Sequence, residues 1–445
     1  MQTSQSGRVC TLVAVSGGYV KYALADDTAW STPTNNTGET PPLNATGLVY
    51  SSDLGQKKYF VDGTNYAWFD PHLGTLEAWT ATAGEMPVDG SGNTATIIMT
   101  YRGSLGLAGL LEDPQNYFFC AVDGPTDFDY GADPISTSAF AGHLGRQGLI
   151  GDVITGMMAY TDDVAIFFCD STIKLMRGDP RAGGEFDLIS NGIGAVFGEA
   201  FCQDPFGTIY FYSNKCGVYS MQPGQSPKRI SRPIDPRLDD IDTGENNFRL
   251  VWNDRQQGLH VFVTPVDEPA PTTHYFYEAR TQGWFEDKFE NDDHNPFVSV
   301  TFDGNLPEDR VTLVGGWDGY VRALDPEAVR DDGYDIAAEV LIGPLTTNEM
   351  DDIRFDDFTA QLGTDSEEVT YEVYSAETAE EALADAEDET FEPSITGTLS
   401  AGRNYATEVR VAAHAHYLKL IGTVFSLESV RANLSVMGTV RQRGR

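Results

Sequence analysis

The sequence predicts an all-β protein: a β-propeller of about seven blades over residues 1–333, then a small C-terminal β-sandwich-like domain over residues 334–445 that carries one short helix. Three observations predict it. A strand–turn–strand phrase recurs at intervals near 45 residues. Turn formers are abundant, 45 Gly and 22 Pro in 445 residues, while long helical periodicity is nearly absent. Past residue 326 the composition changes and a period-two alternation sets in.

The phrase is clearest in TLVGGWDGYVRALDPEA, residues 312–328, which reads as a strand, a two-residue Asp318-Gly319 turn and a second strand. LVAVSGGYVKYAL repeats it around Gly17-Gly18, KKYFVDGTNYAWFDP around Asp62-Gly63, and VAIFFCDSTIKLMRGDP around Asp170-Ser171. TIYFYSNKCGVYSMQPG turns between Asn214 and Gly217. Weaker copies turn at Asp123-Gly124 and between Arg280 and Gly283. Anchored at 18, 63, 124, 171, 216, 280 and 319, the copies stand 45, 61, 47, 45, 64 and 39 residues apart. A period near 45 with two longer steps is that of four-stranded propeller blades. Three copies end in Asp-Pro (Asp70-Pro71, Asp179-Pro180, Asp325-Pro326), where proline stops the ladder and is expected to close the unit.

PEAVRDDGYDI, residues 326–336, is charged and turn-rich and marks a boundary. Beyond it, VTYEVYSAE, ATEVRVAAHAHYLKLIGTV and SVRANLSVMG alternate as half-buried strands do. The stretch SAETAEEALADAEDETF is helical instead: Thr378 and Glu381 form a capping box, and Ala379, Ala382, Leu383 and Ala386 share a face.

The formal charge of −38, from 67 acidic and 29 basic residues, excludes a phosphate-gripping nucleic-acid surface and binding to an anionic membrane. No apolar run is long enough to span a bilayer, and the N-terminal MQTSQSGRVC has no signal-peptide pattern. Five cysteines (Cys10, Cys120, Cys169, Cys202, Cys216) show no CxxC; three lie in apolar strand-like runs and read as buried thiols.

No nucleophile elbow, P-loop, HExxH or dinucleotide fingerprint is present, so no catalytic, cofactor-binding or metal-ligating residue is assigned and no enzyme activity is expected. His414 and His416, two apart, would share a strand face but have no third ligand. Asp240, Asp242 and Glu245 in LDDIDTGE lack the calcium-loop spacing, and RGDP at 177–180 reads as a turn. The basic tail VRQRGR places Arg441, Arg443 and Arg445 at the end of an acidic chain, where they are expected to contact an acidic neighbouring subunit.

Several stretches carry a resemblance: YRGSLGLAGLLEDPQNYFFCAVDGPTDFDYGADP (101–134), IKLMRGDPRAGGEFDLISNGIGAVFGEA (173–200), GTIYFYSNKCGVYSM (207–221), KRISRPIDPRL (228–238) and the tail from VYSAETAEEALADAEDETF onward. In the first, Arg102 leads through YFFCAV to Pro125-Thr126-Asp127-Phe128. Together they resemble the tail nozzle (tail tubular) β-propeller proteins of short-tailed bacteriophages over most of residues 100–445. One departure is Ser426 in FSLESV, where an aromatic is expected. The resemblance implies a virion protein of the phage tail that assembles as a ring, commonly a hexamer, below the portal and adaptor. Such a ring continues the DNA channel, lets phage DNA pass without specific binding, and supports tail fibres. It implies no cofactor. Two other readings stay open: a phage propeller that binds or depolymerises a host-surface glycan, and a cellular β-propeller scaffold or enzyme.

Overall fold

The computed structural model describes residues 2–4, 9–24, 29–34, 42–131, 137–145, 151–215, 217–303, 310–346, 352–388 and 390–438. The chain divides into two compact units, Met1–Pro326 and Glu327–Arg445. The expected boundary at 333/334 falls in the turn of a short hairpin, Arg330–Asp331 with Tyr334–Asp335, inside the second unit.

The described part of the first unit is a succession of seven antiparallel meanders. They span residues 2–24, 50–78, 97–143, 154–191, 201–229, 246–287 and 298–323. Five have four strands; the first and seventh have three, and a bridge between Tyr22 and Ser31 extends the first. Second strands such as Val164–Cys169 and Ile209–Ser213 are buried almost throughout. A strand covered on both faces carries a continuous apolar run rather than an alternating one, hence VAIFFC and IYFYS.

What covers each sheet is the next sheet. Val13, Val15 and Tyr22 of the first pack with Phe60, Phe69 and Leu76 of the second. Tyr59 and Val61 pack with Leu105 and Leu107 of the third, and Tyr117 and Phe119 with Phe167 of the fourth. Phe168 stacks on Phe201 at 4.7 Å and meets Phe211 at 5.5 Å, joining fourth to fifth. Tyr212 stacks on Phe248 at 4.0 Å, joining fifth to sixth, and Phe262 packs with Val314 of the seventh. The loop between the second and third strands of the seventh sheet also comes near the first: a Cβ placed on Gly319 would lie 3.3 Å from Ser16 Oγ. Each sheet therefore buries its faces only in company, and each aromatic contact adds about 0.5–1.5 kcal/mol to the area buried.

Polar clamps cross the same seams. Arg181, its side chain 3% exposed, donates to Ser104 Oγ and the Cys120 carbonyl at 2.7 Å each, and to the Ser138 carbonyl, tying the fourth sheet to the third. Trp79 Nε1 donates to the Pro125 carbonyl at 2.7 Å. Cys120 and Cys169 are buried free thiols and Cys202 is half-buried; burial pushes Cys120 up to about 11 and Cys169 up to about 12.

Three local expectations change. The second strands end at Ser16, Val61, Ala108, Cys169, Ser213, Pro265 and Gly315, in steps of 45, 47, 61, 44, 52 and 50 residues. The anchors at 124 and 280 fall after the third strand rather than the second, so they distort the spacing. The one long step holds Asp127–Phe128, which leaves the meander to pair in parallel with Ala83–Gly84. Second, the loop around Asp318-Gly319 runs from Gly316 to Tyr320 and is not a two-residue turn. Asp318 accepts the Tyr320 N–H at 3.0 Å and takes both Arg322 Nη1 and Nη2, at 3.0 and 2.6 Å, which holds the wider loop. Third, Asp70-Pro71 and Asp179-Pro180 lie between third and fourth strands and do not end the unit. The carboxylates accept backbone N–H groups two residues on, at His72 and Arg181, both 2.9 Å: proline frees the ladder and aspartate makes the turn.

In the second unit, a four-stranded sheet (Ala338–Leu345, Ala415–Gly422, Val369–Ala376, Ile395–Leu399) and a three-stranded sheet (Gly402–Ala413, Asp352–Leu362, Leu427–Gly438) share one core. Phe355, Phe358 and Leu362 face Tyr371, Val373, Leu418 and Leu420 across it, with Phe358 edge-on to Tyr371 at 5.1 Å. The helix Ala379–Glu387 lays Ala382 and Ala386 against Tyr374, Ala415 and Tyr417, and Thr378 Oγ1 accepts the Glu381 N–H at 3.1 Å. Ser426 is exposed, and Phe425 beside it supplies the apolar contact with the core.

Candidate functional site

The first strands of the second to seventh sheets, with the segments leading into them, line a common cavity of about 800 Å³. Its walls mix apolar residues, among them Ile97, Ile98, Met157, Phe201, Leu250 and Val251, with polar and charged ones. Its polar groups come from opposite sides. Tyr50 opens the first strand of the second sheet, Glu199 precedes the fifth sheet, and Arg249 sits within the first strand of the sixth, Asn246–Asn253.

Arg249 is 3% exposed. Its Nη1 pairs with Glu199 Oε2 at 2.5 Å and its Nε donates to the Phe297 carbonyl at 3.3 Å. The guanidinium lies 5.4 Å from the centroid of the Tyr50 ring, within cation–π range. The Tyr50 hydroxyl, in turn, reaches Gly198: a Cβ there would stand 2.8 Å from it, and Gly198 holds φ +104, a backbone that favours glycine on its own account. That hydroxyl is buried and has no hydrogen-bond partner among the described residues. Burial pushes its pKa up to about 12, with Arg249 pulling it down less and Glu199 adding to the rise, so it stays a neutral donor.

At the other end of the lining stand Asp254 and Arg310. Arg310 Nε meets Asp254 Oδ2 at 2.6 Å and its Nη1 meets Asp303 Oδ1 at 3.1 Å. Asp254 Oδ1 is buried without a partner among the described residues, as is the indole N–H of Trp252, another lining residue. Asp204 accepts the N–H groups of Phe206 and Thr208 on Oδ1, at 2.9 and 2.7 Å, and the Tyr210 hydroxyl on Oδ2 at 3.3 Å.

The residues singled out in the sequence lie elsewhere. Arg441, Arg443 and Arg445 are outside the described residues. His414 falls in the bend between strands Gly402–Ala413 and Ala415–Gly422, so it does not share a strand face with His416. His416 is buried, its Nδ1 2.7 Å from Ser375 Oγ and its Nε2 3.3 Å from the Ile353 carbonyl. Asp242 accepts the Gly244 N–H at 2.7 Å in a turn, and Arg177 of RGDP pairs with Asp187 at 2.9 Å. Among the described residues no three His, Cys, Asp or Glu side chains are placed to hold a metal, and no helix is long and apolar enough to cross a membrane. Tyr50, Glu199 and Arg249 escape sequence reasoning because they converge from three sheets. The one signal was the lone arginine in the otherwise apolar run FRLVW.

No family model matches the chain, and no curated protein matches it in sequence. Among solved structures it is similar to the extracellular domain of a one-component system of B. thetaiotaomicron, with 11% identity, 95% of this chain and 55% of that one covered, and a TM-score of 0.47. It is similar also to the extracellular domain of a hybrid two-component system of the same organism, at 11% identity over 82% of this chain and 44% of that one, with a TM-score of 0.46. A chain of the mitotic checkpoint complex gives 10% identity, 71% and 87% coverage and a TM-score of 0.44. The chain spans about half the length of the first two. Likeness at this level carries no functional argument.

Proposed function

We propose that the first unit is a seven-bladed β-propeller and the second a β-sandwich, and that the chain is a structural ring protein: the tail nozzle of a short-tailed bacteriophage. The observation that supports the propeller is the cavity shared by the first strands of six sheets, together with the approach of a seventh-sheet loop to the first sheet at Gly319 and Ser16. The nozzle reading rests on the likeness of residues 101–134, 173–200, 207–221, 228–238 and the tail from Val373 onward to that family. The charge supports it: a wall of carboxylates repels DNA within a Debye length of about 8 Å, so a duplex slides without adhering.

The cavity constrains this reading. A duplex is roughly 20 Å across, too wide for a space of about 800 Å³ crossed by Tyr50 and Arg249. DNA would therefore run between subunits, along the axis of a ring of copies, most simply six, seated below an adaptor and portal and carrying fibres outside. The tail arginines Arg441, Arg443 and Arg445 would reach an acidic neighbour in that ring. The role is structural, not catalytic, and its place is the virion.

Negative-stain electron microscopy of the purified chain, alone and with its adaptor, tests the reading, with mass photometry on the same samples. Closed rings with a hole wider than a duplex support it, and deleting residues 441–445 should then weaken assembly. Monomers under both conditions sink it and leave weight on a monomeric binder.

A further inference from the structure

We infer that the seventh sheet of the first unit is completed by a strand from a second copy of this chain, residues 439–445, TVRQRGR, with its arginines laid on Phe285 and Asp287. This docking rests on the reading that copies of the chain assemble, and it gives the basic tail a place on the neighbour.

The seventh sheet lacks an outer strand. The second to sixth sheets each have a fourth, such as Thr75–Ala78, Glu185–Asn191 and Gly283–Asp287, four, seven and five residues long. The seventh stops at its third, Val321–Ala323, whose far edge pairs with no strand among the described residues. Such an edge is a template for an added strand. The missing strand also leaves the sixth sheet partly bare. Val314 and Leu324 cover only Val251 and Phe262, on its first two strands. Its outer strand turns Trp284 toward the fifth sheet, where Nε1 donates to the Ile230 carbonyl at 3.0 Å. Phe285 and Asp287 therefore face the seventh.

Both are open there. Phe285 is 53% exposed. Asp287 is half exposed and meets no lysine or arginine among the described residues; His260, 3.9 Å away, is buried. Glu278 on the same face is already taken by Arg280 and Thr281, and Arg322 of the seventh sheet by Asp318.

Spacing and charge choose the occupant. Phe285 and Asp287 stand two apart on one strand, about 7 Å along it. Arg441, Arg443 and Arg445 also stand two apart, so an extended tail puts them on one face at the same interval, and no other run of this acidic chain has arginine at three alternate positions. An arginine suits both places: its planar guanidinium stacks on an aromatic ring and pairs with a carboxylate. Its long side chain reaches across the roughly 10 Å between stacked sheets.

Fluorescence anisotropy tests this, with a labelled TVRQRGR peptide and the chain shortened after Gly438, which keeps every described strand and removes the competing tail. The peptide should bind. Asp287→Asn and Phe285→Ala should each weaken it about tenfold, and Asp287→Asn, which keeps the shape, serves if Phe285→Ala does not fold. A scrambled peptide, GTVQRRR, keeps the charge without the alternation and should bind about tenfold more weakly. Hydrogen exchange at Val321–Ala323 should slow in the complex. Equal binding of the two peptides, unchanged binding in the folded variants, or unchanged exchange at these residues would overturn the site. The same protection in full-length monomers, identified by mass photometry, would put each tail on its own copy and overturn the second-copy assignment. Peptide binding without rings keeps the site and removes the nozzle reading; rings without peptide binding do the reverse.

Discussion

The guanidinium of Arg249 lies 5.4 Å from the ring centroid of Tyr50, although Arg249 belongs to the sixth sheet and Tyr50 to the second. The contact crosses the cavity and ties opposite sides of the first unit. Its third member, Glu199, enters from the fifth sheet with its side chain half exposed.

Glu199→Gln should therefore cost more than Arg249→Met. Removing the arginine leaves a half-exposed carboxylate that water can solvate, and the Phe297 carbonyl keeps the Asn247 Nδ2 donor at 2.7 Å, an effect of about 1–3 kcal/mol. Glu199→Gln leaves the buried guanidinium without its counter-charge, an effect of about 3–5 kcal/mol. Urea denaturation followed by tryptophan fluorescence measures both; equal costs would refute the asymmetry.

Arg181 clamps two sheets through three acceptors in different directions. Arg181→Lys keeps the charge but loses the planar fork, so it should destabilise by about 2–4 kcal/mol, nearly as much as Arg181→Ala. A lysine variant as stable as the parent would show that the charge, not the geometry, holds this seam.

Acid should weaken the sixth sheet. His274 Nδ1 accepts the Val263 N–H at 3.1 Å, which leaves the proton on Nε2, 3.0 Å from Asn295 Oδ1. Burial lowers both His274 and His260 to about 4; in His260 the neighbouring His274 adds to the fall. Their folded pKa lies below the unfolded value, so the unfolded chain binds more protons between pH 6.5 and 4. The stability they contribute is present above pH 6.5 and lost as pH falls toward 4, about 2 kcal/mol per histidine by pH 5. Asp287, 3.9 Å from His260, is shifted upward by desolvation and acts in the opposite sense, weakly because its side chain is half exposed to solvent. Urea midpoints from pH 7.5 to 4.5 should fall, and His260→Phe should flatten the curve.

Cys120 and Cys169 should resist alkylation in the folded protein, since burial both covers them and holds them as thiols. Mass spectrometry after iodoacetamide at pH 8, with and without urea, checks this; fast native labelling of either would contradict the packing of the sheets around them.

The strands themselves were legible. Gly17-Gly18, with φ of +55 and +78, turns as its sequence predicts, and Thr378 caps its helix because a side-chain oxygen before an apolar stripe is a local signal. Chemistry that acts over a few residues is written in those residues. The sequence by itself therefore determined the β-class, the near-45-residue rhythm, the acidic surface and the change of character past residue 326. It did not determine which turn belongs to which point of a sheet: Asp123-Gly124 and Arg280–Gly283 look like the other hairpins, and only pairing shows that they follow third strands. Nor did it place Tyr50, Glu199 and Arg249 together. They are separated by up to 199 residues, and their encounter depends on how seven sheets stack face to face. Stacking is settled by packing among all the sheets at once, so the cavity and the cluster of Tyr50, Glu199 and Arg249 were decided by the tertiary structure alone.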